Sequence, residues 1–228
     1  MIYRGMSLEQ VTSVIDHSVL KPISSQAEIE IAAITALKLK TAALCIRPMD
    51  VALAARLLAS SEVAVATVIG FPHGTTTTKA KVAEALDAIA NGATELDMVL
   101  NISALLDDKL AMVQDDIAQV VSAACDTATV KVIFETCYLS REQIATACSL
   151  SENAGAHFVK TSTGFAASGA TVADIKLMRE KVGSRLGVKA SGGVKTLDHL
   201  VDLVEAGANR VGCSATESIV AEFQALAQ

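Results

Sequence analysis

Tryptophan is absent from this 228-residue chain, and tyrosine and phenylalanine together make up only 3% of it. A groove that tracks a nucleic acid backbone needs clustered Lys and Arg interleaved with aromatic platforms; no such run occurs, and the formal charge is -6. Nucleic acid is therefore not expected as a partner. The five cysteines, Cys45, Cys125, Cys137, Cys148 and Cys213, form no C-x-x-C pair and are odd in number, as expected of reduced thiols in a cytosolic protein. No segment approaches the roughly 20 apolar residues of a membrane span. The opening MIYRGMSLEQ lacks the apolar stretch of a signal peptide, so no membrane partner and a cytoplasmic location are expected. His17, His73, His157 and His199 show neither H-x-H nor H-E-x-x-H spacing, which leaves a zinc mechanism unsupported and no metal expected. Each reads as a hydrogen-bonded structural histidine, although His73, in the GFPHG loop, is placed to touch a substrate. No Pro/Ser-rich linker divides the chain, so residues 1–228 are expected to form a single domain.

What is present is aliphatic. About half the residues are apolar, dominated by Ala, Val, Leu and Ile, the composition of strands covered on both faces. Eight short runs read as strands: DHSVL, AALCI, VAVATVIG, ELDMVL, VKVIFET, HFVKTS, LGVKAS and NRVGCS. Between them lie helical patterns, four of which open on S-x-x-[EQ] capping signatures at Ser7/Gln10, Ser25/Glu28, Ser140/Gln143 and Ser214/Glu217. NGATELD, AGAHFVK and AGANRVG repeat one pattern, a helix-ending glycine followed by a strand, so Asp97, Lys160 and Gly212 share a register whether by ancestry or by convergent turn chemistry. Strict strand-helix alternation predicts an α/β fold, and eight units favour a (β/α)8 TIM barrel over an open doubly wound sheet.

Two lysines each close an apolar run before small, glycine-bearing residues: Lys160 in HFVKTSTGF and Lys189 in LGVKASGG. An ammonium at the end of a buried strand is costly to desolvate, which suggests chemistry in which one of them gives up its proton. Alternation puts Glu95, Asp97 and Val99 on one face, Phe158, Lys160 and Ser162 on another, and Gly187, Lys189 and Ser191 on a third. If these faces point inward, Asp97, Lys160 and Lys189 converge. A lysine that attacks a carbonyl near neutral pH needs a pKa roughly 3 units below its free value, a shift of about 4 kcal/mol. Two unit charges about 4 Å apart at an effective dielectric near 20 repel by about the same amount, so either lysine could activate the other. Asp97 pulls the opposite way and is expected to act on a proton or through water rather than as a tight partner of the nucleophile. The alternative is a buried charge network that only holds the barrel together.

Thr163 and Gly164, Gly192 and Gly193, and Gly212 and Ser214 follow the last three strands. Exposed backbone N–H groups there, with a helix opening at Ser214, predict an anion site for a phosphorylated substrate; the plainer reading is tight strand-to-helix turns. Cys45, near the end of the second strand, is a small core residue within reach of the site.

At these residues the chain resembles the deoxyribose-phosphate aldolase family of class I aldolases over nearly its whole length. IDHSVLKP, VIGFPHG, GATELDMVLN, KVIFETCYL, AGAHFVKTSTGF and GVKASGGVKTL carry the likeness together, in the family's order. The resemblance implies a Schiff base at Lys160, a pKa-lowering role for Lys189 and proton relay by Asp97. It also implies reversible cleavage of 2-deoxy-D-ribose 5-phosphate to acetaldehyde and D-glyceraldehyde 3-phosphate without metal or organic cofactor. Asp16, Ser18 and Cys45 would line the pocket, with Gly164, Gly192, Gly193 and Ser214 around the phosphate. Ser18 and Cys213 stand where threonine is common in the family, and the tail AEFQALAQ lacks the terminal tyrosine of some members. Other readings are a different phosphate-binding barrel aldolase or isomerase, or a non-catalytic sugar-phosphate-binding barrel. A homodimer is the expected assembly.

Overall fold

A computed structural model describes residues 2–226; the last two residues of the tail, Ala227 and Gln228, lie outside them. All eight expected strands form: β3 (Ile15–Val19), β4 (Ala43–Ile46), β5 (Ala64–Ile69), β6 (Glu95–Val99), β7 (Thr129–Ile133), β8 (Phe158–Lys160), β9 (Gly187–Ser191) and β10 (Arg210–Cys213). They pair in parallel and in chain order, and β10 closes on β3 through Val211↔Ile15, Gly212↔Asp16 and Cys213↔His17. The result is a closed (β/α)8 barrel.

Ahead of it stands a hairpin that the sequence pattern did not reveal, β1 (Ile2–Tyr3) and β2 (Met6–Ser7), followed by α1 (Leu8–Ser13). The outer helices are α2 (Gln26–Leu39), α3 (Val51–Leu58), α4 (Thr78–Ala90), α5 (Ile102–Leu106) with α6 (Leu110–Ala124), α7 (Arg141–Asn153), α8 (Val172–Val182), α9 (Leu197–Glu205) and α10 (Thr216–Ala225). Strand residues that face the helices, such as Leu44, Leu96, Val130, Val159 and Val188, are buried in one aliphatic core between the two layers.

Three of the four capping boxes form, at Ser7, Ser25 and Ser140. The fourth does not. After β10 the chain takes two more residues to turn, α10 starts at Thr216, and its N-cap is Ala215 with no side-chain bond. Glu217 instead accepts a hydrogen bond from the Thr35 hydroxyl at 3.3 Å, and Ser214 is left facing a cavity. Gly92, Gly155 and Gly207 all take positive φ at the repeated helix ends, and the strands that follow carry Asp97, Lys160 and Gly212 in matching inward positions.

The barrel interior is divided. On β4 and β5 it is apolar, filled by Ala43, Cys45, Ala66 and Val68. The other strands turn charge inward: Asp16, Glu95, Asp97, Lys131, Lys160 and Lys189 are all buried, and Arg210 reaches in from the start of β10.

Candidate active site

Lys160 and Lys189 are register partners on β8 and β9, so their side chains rise together into the barrel. Both ammonium groups meet one carboxylate oxygen: Lys160 Nζ and Lys189 Nζ each lie 2.6 Å from Asp97 Oδ2. Asp97 is thus a direct partner of both lysines. The expectation that it would stand off from the nucleophile is corrected, because a fully buried carboxylate must be paired and the two amines are the cations above it.

Beneath this trio lies a second tier. Lys131 Nζ is 3.0 Å from Asp97 Oδ1, 3.2 Å from Asp16 Oδ2 and 2.5 Å from Glu95 Oε2. Lys189 also donates to Asp16 Oδ2, and Arg210 bridges Asp16 Oδ1 at 2.5 Å and Glu95 Oε1 at 2.8 Å. Lys131, Lys160, Lys189 and Arg210 therefore face Asp16, Glu95 and Asp97, four cations to three carboxylates.

A buried cluster approaches neutrality, so one amine should shed its proton. Lys160 is the one least supported: it reaches a single carboxylate, already shared with two other lysines, whereas Lys189 and Arg210 reach two each and Lys131 three. Burial is the largest force lowering the Lys160 pKa; Asp97 opposes it and repulsion from Lys189 adds to it. Burial also presses down on Lys189, but Asp16 and Asp97 outweigh it and hold that amine above its ordinary value. Lys131 is likewise held well up, against its own burial, by Asp16, Asp97 and Glu95. Asp97 and Asp16 remain ionised despite burial because Lys131 and the neighbouring cations hold their carboxyls well below the usual range.

The two amines open into a cavity of about 490 Å³ at the carboxyl ends of the strands. Asp16, Ser18, Cys45, Lys160, Lys189 and Ser191 are among its lining residues, with Gly164, Gly192, Gly193 and Ser214 from the loops after β8, β9 and β10. Asp97 is not among them; it sits below the lysines.

The sequence profile of DeoC/LacD family aldolases matches residues 11–216. The chain belongs to this aldolase family. It is 54% identical over 211 residues to the deoxyribose-phosphate aldolase of Exiguobacterium sibiricum, covering 92% of this chain and 95% of that one. It is 50% identical over 214 residues to that of Clostridium perfringens, covering 94% and 96%. The tetrameric deoxyribose phosphate aldolase of Aeropyrum pernix superposes with a TM-score of 0.90 at 29% identity, over 96% of this chain and 93% of that one.

Within this aldolase the expected phosphate residues divide. Gly164, Gly192 and Gly193 have positive φ of 85°, 86° and 75°, which frees the loop backbone to turn toward the cavity. Gly169 packs on Gly192 so closely that a Cβ there would lie 2.0 Å from the Gly192 carbonyl oxygen, which locks the two loops together. Thr163 lines the cavity, but both its N–H and its hydroxyl donate to the buried Glu135; it anchors its loop rather than offering a free donor. Gly212 lies within β10, and a Cβ there would stand 3.2 Å from Lys189 Cε. Its contribution is room for the lysine stem.

Cys45 is buried, and its thiol is pushed up to about 11, chiefly by burial. His73 is exposed on the GFPHG loop and does not line the cavity. His17 borders the cavity, and its Nδ1 lies 2.8 Å from the Thr216 hydroxyl. Lys131 and Arg210 escaped the sequence reading, and Glu95 was read only as sharing the Asp97 face, because they sit at mid-strand or strand starts, where no glycine-rich loop draws attention. Lys21 and Lys195 also line the cavity, and no strand-end pattern marks either one in the sequence.

Proposed function

We propose that the chain, acting as one catalytic barrel, reversibly cleaves 2-deoxy-D-ribose 5-phosphate to acetaldehyde and D-glyceraldehyde 3-phosphate through a Schiff base at Lys160. The observation that carries the assignment is the uneven sharing of carboxylates, which leaves Lys160 as the least-supported amine on the cavity wall.

Neutral Lys160 attacks the C1 carbonyl, the carbinolamine loses water, and the iminium becomes the electron sink. Loss of the C3 hydroxyl proton then drives cleavage of the C2–C3 bond. Scission at C3–C4 would not give the two products, since a two-carbon enamine and a three-carbon phosphate require the break next to C2. The enamine is reprotonated at C2, and hydrolysis releases acetaldehyde and Lys160. Because the iminium accepts the electron pair itself, the scheme uses neither metal nor organic cofactor. Lys189, cationic and on the cavity wall, is the group in position to hand protons to the departing hydroxyl. Asp97 Oδ2 contacts both amines and links their proton inventories from below. The phosphate is assigned to the Gly164, Gly192, Gly193 and Ser214 rim, with Lys21 and Lys195 adding positive charge at the wall.

Borohydride reduction in the presence of acetaldehyde should leave a two-carbon adduct on Lys160 in peptide mass mapping; an unmodified Lys160 overturns the assignment. A cytoplasmic location agrees with five free cysteines and with a phosphorylated substrate. A homodimer is supported by the exposed Ile31, Ile34 and Leu37 at i, i+3 spacing on α2, and light scattering that gives a monomer mass would exclude it.

A further inference from the structure

Arg210 and Glu95 sit at the first positions of β10 and β6, at the opposite end of the strands from the substrate loops, and neither lines the cavity. The guanidinium forks between two carboxylates, with Nη1 2.5 Å from Asp16 Oδ1 and Nη2 2.8 Å from Glu95 Oε1. It also lies 5.9 Å from the centre of the Phe158 ring. That ring depends on Gly187, where a Cβ would come within 2.1 Å of it. The Arg210 side chain is thus held from three directions in a fixed orientation.

The consequences run upward through single atoms. With Asp16 Oδ1 taken by Arg210, Oδ2 is presented to Lys189 and Lys131. Arg210 also holds Glu95, through Oε1 at 2.8 Å and more weakly through Oε2 at 3.3 Å, and this turns Oε2 toward Lys131, which in turn holds Asp97 Oδ1. Asp97 Oδ2 is then left for Lys160 and Lys189. No atom of the lower pair contacts Lys160; its effect passes through Asp16, Lys131 and Asp97.

We infer that Arg210 and Glu95 are positioning residues that set the protonation state of Lys160 from the closed end of the barrel. This inference rests on Lys160 as the Schiff-base lysine. With Arg210 present, the cluster is neutral when one of its three lysines is unprotonated. Without Arg210, three lysines face three carboxylates, and neutrality is reached with Lys160 still charged. Without the Glu95 carboxylate the excess of cations grows, and Lys160 loses its proton more readily. The groups facing Lys160 itself are Asp97 from β6, Lys189 from β9 and Cys45 from β4; none of these changes in either substitution.

The two substitutions therefore have opposite signs, which loss of packing alone does not produce. The test is the pH dependence of borohydride-trapped acetaldehyde adduct at Lys160, with kcat/KM followed over the same range. Arg210→Gln should move the midpoint up by about one pH unit, and Glu95→Gln should move it down by a similar amount, the scale expected of one charge about 10 Å away at an effective dielectric near 20. Arg210→Lys, which keeps the charge, should restore most of the wild-type midpoint. Midpoints of the folded variants that stay at the wild-type value, or that move together in one direction, overturn the inference even if activity falls. If the wild-type enzyme forms no adduct at Lys160, the Schiff-base assignment fails first and the inference falls with it.

Discussion

Lys160 and Lys189 are the same residue type on neighbouring strands at the same height, yet their environments push their proton affinities apart. Burial bears on both; what separates them is the count of carboxylates, one against two. Lys189 retains its proton and repels Lys160, so removing it should raise the Lys160 pKa. Burial and Lys189 lower the Lys160 pKa and Asp97 raises it, and Lys189→Leu deletes one of the lowering influences while leaving Asp97 in place. Adduct formation in that variant should need a higher pH, with activity at pH 7 reduced by at least about tenfold, the change expected from one pKa unit; an unshifted profile would refute the repulsion. The convergence of Asp97, Lys160 and Lys189 was legible from strand alternation alone, since inward-facing positions are set by period two. The division of labour was not, because it depends on Lys131, Asp16, Glu95 and Arg210, whose contacts span up to six strands of the barrel and leave no local pattern. Repulsion between the two lysines, large enough by itself for the expected shift, is the smaller cause; burial is the larger.

At the scale of elements, two serines with the same sequence signature have separated roles. Ser25 caps α2 by accepting the Glu28 N–H, and Glu28 returns a bond to the Ser25 N–H at 2.7 Å. Ser214 caps nothing and lines the cavity. Ser25→Ala should cost about 1 kcal/mol of stability in urea unfolding without changing KM. Ser214→Ala should leave stability within about 0.5 kcal/mol of wild type while raising KM for the phosphorylated sugar. The reverse pattern would mean that the α10 terminus, not the cavity, is what Ser214 serves. All eight barrel strands were readable because each is a short aliphatic run bounded by turn residues. The hairpin of β1 and β2 was not, since two residues per strand carry no periodicity; Arg4 ties it to α9 through Asp202 at 2.7 Å and Glu205 at 2.5 Å.

Across the whole molecule, the split interior joins catalysis to acid stability. The β4–β5 side of the barrel is filled by small apolar side chains, and the rest by a column of paired charges that runs from the Arg210 end to the cavity floor. Asp16 is central to that column, touching Lys131, Lys189 and Arg210. Against the cost of its burial, Lys131, Lys189 and Arg210 hold its pKa well below the ordinary carboxylate range. A carboxyl depressed in the folded state stabilises it fully above the unfolded pKa of about 3.9, and that stabilisation is lost as pH falls toward the folded value. Asp16→Asn removes the titration and leaves three cations short of a partner, which should cost roughly 3–5 kcal/mol near pH 7. The gap to wild type should be full above about pH 5. It should then close at up to about 1.4 kcal/mol per pH unit below about pH 4, where the unfolded wild-type chain binds a proton that the folded one refuses. Urea midpoints measured from pH 3 to pH 7 on both proteins decide it, and a gap that stays constant over that range would show that the Asp16 carboxyl does not titrate differently between the folded and unfolded chains.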